Sequence, residues 1–204
     1  MKLIGRATAL LLNPKAEWTR IEAEPTTVRA IMTGWVAPLA AIGPIVKLIG
    51  SQVAGVTGDG MHMPPPLISA VTEALIGYAL SLLGVYVLAR IVNGLAVTFK
   101  GRRDEVQAMK LAAYGATAMY LAGVFELLPI LRWFEFAGLY SMVLIFVGLP
   151  IVMHAPKKRV LAYTAVTLLA GIGLIILLTL TVLWTKDMFA PDVPASAWNY
   201  TPPE

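Results

Sequence analysis

Five stretches of the chain are apolar for long enough to cross a bilayer as helices, and polar or proline-rich breakers stand between them. A spanning helix takes roughly 20 apolar residues. The stretches run from about Ala30 to Ile49, Ile68 to Val92, Ala108 to Leu128, Phe136 to Met153 and Leu161 to Trp184. The fifth is the plainest, with no charge between Val160 and Trp184. The third is the weakest, with Lys110 and Glu126 near its two ends. Gly58-Asp59-Gly60 and Pro64-Pro65-Pro66 part the first two stretches, and Gly101-Arg102-Arg103-Asp104-Glu105 parts the next two. Pro129 to Glu135 makes a tight connection, and Ala155-Pro156-Lys157-Lys158-Arg159 precedes the last stretch. The pattern predicts an all-α polytopic membrane protein, a bundle of five transmembrane helices over residues 29–186. A Pro-rich extracytoplasmic tail, 187–204, follows. No internal repeat is visible.

The first 28 residues are patterned differently. Leu3, Ala7, Leu10 and Leu11 recur at helical spacing with Lys2 and Arg6 between them. A second short helix is predicted to begin with Asn13 as N-cap and Pro14 in its first position, with Trp18 and Ile21 on its apolar side. The run is too short, and too plainly ended by Asn13-Pro14-Lys15, for a cleaved signal peptide, so it is read as retained. Two placements fit this amphipathic segment: flat on the cytoplasmic leaflet, or packed on the protein's own cytoplasmic loops.

Composition agrees with a membrane protein. Of 204 residues, 58% are hydrophobic and 14% charged, against about 25% charged in soluble domains. The net charge of +4 suits nucleic acid in principle, but the bases cluster between apolar runs, so no nucleic-acid partner is expected. Twelve Lys and Arg fall before the first stretch, after the second or after the fourth, and only Arg132 and Lys186 fall on the opposite side. By the positive-inside rule this predicts a cytoplasmic N-terminus and an extracytoplasmic C-terminus in the cytoplasmic (inner) membrane.

Candidate chemistry is sparse. There is no Cys, and no nucleophile elbow, zinc-protease or phosphate-loop motif, so neither an enzyme nor a cofactor is expected. His62, between Met61 and Met63, reads as part of an exposed loop, and His154 as an interfacial residue. Lys47, Glu73 and Glu126 fall toward the outer ends of their stretches. They form a candidate polar cluster, read either as structural ion pairs or as a polar mouth. Arg90 lies where it can snorkel to the cytoplasmic side. Ala70, Ala74, Gly77, Ser81 and Gly84 make a small-residue stripe on the second stretch, and Ala108, Ala112, Gly115, Ala116 and Gly123 a similar face on the third. Such faces serve close helix packing. The first stripe is read either as packing inside the bundle or as a homo-oligomer face.

Several segments resemble the bacterial branch of the Yip family, the Ypt/Rab-interacting five-span membrane proteins carrying the Yip-one domain. They are Leu12-Asn13-Pro14-Lys15-Ala16-Glu17-Trp18, Phe99-Lys100-Gly101 through Gln107-Ala108, and Lys110 to Tyr114. Pro129, Gly138-Leu139-Tyr140-Ser141 and Gly148-Leu149-Pro150 complete the set. The resemblance covers most of residues 10 to 180 and implies five spans with a cytoplasmic N-terminus. Its motif positions here are Tyr114, Pro129, Tyr140 and Gly148. The family's usual proline after the span-three tyrosine is absent from Thr117-Ala118-Met119, so no proline kink is expected there. The long cytoplasmic N-terminal region of eukaryotic members is absent here; those members bind small GTPases and act in vesicle traffic, and fold does not fix function. The expectation is a non-enzymatic scaffold or adaptor whose partners are the lipid bilayer and other membrane proteins. The alternative is a small transporter or channel using the outer charges.

Overall fold

A computed structural model describes residues 3–53, 66–127 and 136–189. The first loop with His62, the connection containing Pro129, and the tail from residue 190 lie outside the described residues, as does the side chain of Glu126.

The described chain is all helix. Two short helices, α1 (Leu3–Leu12) and α2 (Pro14–Ala23), precede a first spanning segment, Val28–Val53. That segment is built from α3 (Val28–Ile31), a π-helical turn (Met32–Val36), α4 (Ala37–Ala40) and α5 (Ile42–Val53). Pro38 and Pro44 lack the N–H that a regular α-helix would bond, and the ladder changes pitch around them. Then come α6 (Leu67–Thr98), α7 (Glu105–Gly115), α8 (Thr117–Ala122) with a 3-10 turn (Gly123–Leu127), α9 (Tyr140–Val152) and α10 (Lys157–Phe189). At 1.5 Å per residue, α6 and α10 each reach roughly 50 Å, well beyond a hydrocarbon core of about 30 Å.

Among the described residues, three segments are long and apolar enough to cross a membrane alone: Val28–Val53, Leu67–Thr98 and Lys157–Trp184. The third and fourth apolar stretches differ from the uninterrupted helices the pattern suggests. The third breaks at Ala116, and the fourth, Phe136–Val152, is shorter. The break needs no proline. Thr117 Oγ1 donates to Tyr114 O at 2.7 Å, a back-bond that bends helices. Beyond the break, the Met119 N–H turns to Ser141 Oγ at 2.9 Å.

The bundle places its polar helix inside and its apolar helices outside, as lipid solvent demands. Every residue of α7 from Gln107 to Gly115 is buried, and α7 packs against α6, α9, α3 and α2. By contrast α10, which packs on α6 and α9, leaves Leu169 67% and Leu180 56% exposed. Lipid is the medium in which such side chains rest at no cost. The end of α6 is closed by a left-handed Lys100 at φ 57°, with the Gly101 N–H reaching back to Ala96 O at 2.8 Å, a Schellman arrangement. Arg102 N then donates to Met153 O at 2.6 Å. This ties the α6–α7 loop to the end of α9, where His154 is likewise left-handed.

Candidate functional site: the seat of the N-terminal helices

Helices α1 and α2 rest on protein. Leu10, Trp18 and Ile21 are fully buried, and α2 lies against α9 and α7. Asn13 stands at the N-cap of α2, but its side chain makes no capping bond. Pro14 takes the first helical position, and Trp18 and Ile21 share the inward side. Trp18 lies flat against Gly148 of α9: a β-carbon there would fall 2.6 Å from Trp18 Cζ2. Only glycine fits at position 148.

Tyr114 of α7 is the hub. Its ring meets Trp18 edge-on at 6.3 Å and Trp35 at 4.6 Å between centroids. Trp35 Nε1 donates to Thr117 Oγ1 at 3.2 Å, which anchors the π-helical turn to α8. Arg6 Nη1 donates to Tyr114 OH at 3.4 Å. The same guanidinium pairs with Glu24 at 2.5 Å and approaches Glu17 Oε1 at 3.3 Å. The Glu17 approach is a charge contact without hydrogen-bond alignment. Burial pulls the Arg6 pKa down, but the hydrogen bonds and charges of Glu24 and Tyr114 outweigh it and hold it above its ordinary value. Glu17 is 1% exposed, and its carboxylate lies between Arg6 and Arg20, the latter 3.3 Å away.

The C-terminal end of α2 is closed from below. Lys110 Nζ donates to Glu22 O at 3.0 Å and Glu24 O at 2.7 Å, and Gln107 Nε2 donates to Glu22 O at 3.1 Å. These are orphan carbonyls at a helix end, the place where a cation is most welcome. The Glu22 carboxylate faces His154 Nε2 at 3.3 Å and Arg102 at 3.8 Å. Tyr140 OH donates to Leu11 O at 3.0 Å. Tyr114, Tyr140 and Gly148, three of the motif positions, thus each touch α1 or α2.

Residues 8–180 match the Yip1 domain. The chain belongs to the Yip1 domain family. It is also similar to the inner membrane protein YohC of Escherichia coli K12, at 29% identity over 182 residues, covering 86% of this chain and 93% of that protein. YohC of Escherichia coli O6:H1 matches to the same extent. No solved structure matches the chain significantly. This Yip1 protein is therefore an integral membrane protein with an all-α fold.

The other sequence candidates are placed as follows. Lys47 Nζ lies 2.6 Å from Glu73 Oε1, with side chains 56% and 24% exposed. Whether Glu126 joins them falls outside the described residues. Arg90 pairs with Glu105 at 2.7 Å. The small-residue stripe of α6 is not one uniform face. Ala70 is buried, Ala74 is partly covered, and the Ser81 carbonyl accepts from Tyr120 OH at 3.5 Å. Gly84 lies under Leu178, whose Cδ1 would be 2.8 Å from an added β-carbon, whereas nothing stands within 4 Å of such an atom at Gly77. On the third stretch Gly115 meets Ile145, and Gly123 approaches the backbone of Gly43. Sequence reasoning missed the seat itself. Arg6 and Lys110 were counted as orienting bases, and the acids Glu17, Glu22 and Glu24 among those bases were the overlooked signal.

Proposed function

We propose that this Yip1 protein is a non-enzymatic scaffold of the bacterial inner membrane that binds other membrane proteins, with its basic end and N-terminal helices in the cytoplasm. One observation carries the reading. Arg6, Lys110 and Arg102 at the basic end are engaged in holding α1 and α2 onto the bundle, while the interior between helices is filled by apolar side chains. A transporter calls for polar groups lining a path at mid-membrane depth beside broken helices that hold a substrate. The first and third stretches are interrupted here, at Met32–Val36 and Ala116, and polar groups at the interruptions, the Trp35 indole, Thr117 and Ser141, bond within the protein. The paired charges described here sit at two ends, Lys47–Glu73 at one and the Arg6 and Arg102 clusters at the other. The location follows that of the E. coli inner membrane relative, and the orientation follows the twelve bases. Reporter fusions after Arg103 and Lys158 should read cytoplasmic.

The test of function is crosslinking in native membranes with identification of neighbours, beside solute flux in proteoliposomes of the pure protein. A specific, stable membrane-protein neighbour without flux is expected. Solute flux by the pure protein would replace the scaffold with the transporter.

A further inference from the structure

We propose that a cleft between α3, α6 and α7 binds the headgroup of an amine-bearing phospholipid, with phosphate toward Arg90 and ammonium toward Glu105 and Asn93. The cleft holds about 140 Å³ and is lined in part by Val28, Tyr86, Arg90, Asn93, Glu105 and Met109. That is space for several water-sized groups, enough to seat a small headgroup.

Its depth suits a bilayer interface. Glu105 opens α7 directly after the Arg102-Arg103 loop, and Arg90 lies eight residues before the end of α6, about 12 Å along the helix. Tyr86, one turn of α6 before Arg90, lines the cleft's inner end and is 43% exposed.

Its chemistry is that of a zwitterion. Arg90 and Glu105 stand together at the rim, both side chains more than half exposed, and present one charge of each sign at neighbouring points. Beneath them Asn93 is 6% exposed, and its Oδ1 accepts no hydrogen bond from the described residues. A buried amide oxygen left without a donor is costly and calls for an explanation. A primary ammonium brings three N–H donors, and one can serve Asn93 while another serves Glu105. A trimethylated ammonium has no N–H to give. An anionic headgroup without an amine would suit Arg90 but set its charge against Glu105. The cleft therefore selects phosphatidylethanolamine over phosphatidylcholine and phosphatidylglycerol. The same phosphoethanolamine chemistry also exists as a free solute, and the experiment separates the two sources.

Full-length protein in detergent micelles doped with each lipid in turn would be read by native mass spectrometry for retained lipid. Phosphatidylethanolamine should be retained about tenfold over phosphatidylcholine, the worth of one charge-assisted hydrogen bond, and likewise over phosphatidylglycerol. Free phosphoethanolamine at equal concentration should not displace it. Glu105→Gln, at an exposed position the fold tolerates, should abolish the preference over phosphatidylcholine. Asn93→Leu should reduce it without lowering the thermal stability of the lipid-free protein. Equal retention of the three lipids, or a preference untouched by Glu105→Gln, overturns the proposal. Displacement by free phosphoethanolamine overturns its lipid half.

Discussion

The indole of Trp18 lies against Gly148 at a distance that leaves no room for a methyl group. One residue comes from the N-terminal segment and the other from α9, and their contact fixes where α2 sits. Gly148→Ala should lower stability in detergent by about 1–3 kcal/mol through overpacking. In a Trp18→Leu background, which is itself destabilised by the lost burial, the same change should cost less, because the ring it collides with is gone. Thermal unfolding of the four proteins in the cycle checks this. Equal cost in both backgrounds would remove Trp18 as the reason for the glycine.

The stripe on α6 separates into a filled and an open position. Gly84→Leu drives a side chain into Leu178 of α10 and should destabilise by about 1–3 kcal/mol. Gly77→Leu meets open space and should change stability by much less. Melting temperatures measure the first effect, and size-exclusion chromatography with light scattering measures assembly. A Gly77→Leu protein that stays folded but loses an oligomer would place a second copy on that open side.

Lys47 and Glu73 form an ion pair near one end of α5 and α6. Lys47→Met or Glu73→Gln alone should lower the melting temperature more than the two together, because the survivor keeps its desolvation cost without its partner. Additive single effects would mean that the pair contributes nothing and that Glu73 serves another neighbour.

How much of this was legible depended on what covers each side chain. The second and fifth spans could be read from length and hydropathy alone, since α6 and α10 leave much of their surface uncovered by protein and their sequences are apolar over most of their length. The first span was equally visible, but its π-helical turn was not. Pro38 and Pro44 announce a disturbed ladder without saying which pitch results. The third stretch looked doubtful because of Lys110, and the doubt had a physical answer elsewhere in the chain. The lysine closes the carbonyls of α2, a partner 86 residues away that no local pattern reveals. The break at Ala116 was hidden for the same reason, because it depends on Ser141 receiving the freed Met119 N–H. The placement of α1 and α2 could be read only as two alternatives, leaflet or protein loops, and neither names the helices of the bundle as the seat. Helical amphipathicity is identical whether the apolar side meets lipid or protein, and only the tertiary fold presents Gly148, Tyr114 and Lys110 to it.

The central claim is that α1 and α2 are seated on the bundle and do not float on the leaflet. A diazirine-bearing phenylalanine placed at Trp18 of the full-length protein in native membranes tests it directly, since the photoproduct records what surrounds that side chain. The account predicts insertion within the same chain, into the peptides of α9 around Gly148 and of α7 around Tyr114. Insertion chiefly into phospholipid acyl chains would contradict it.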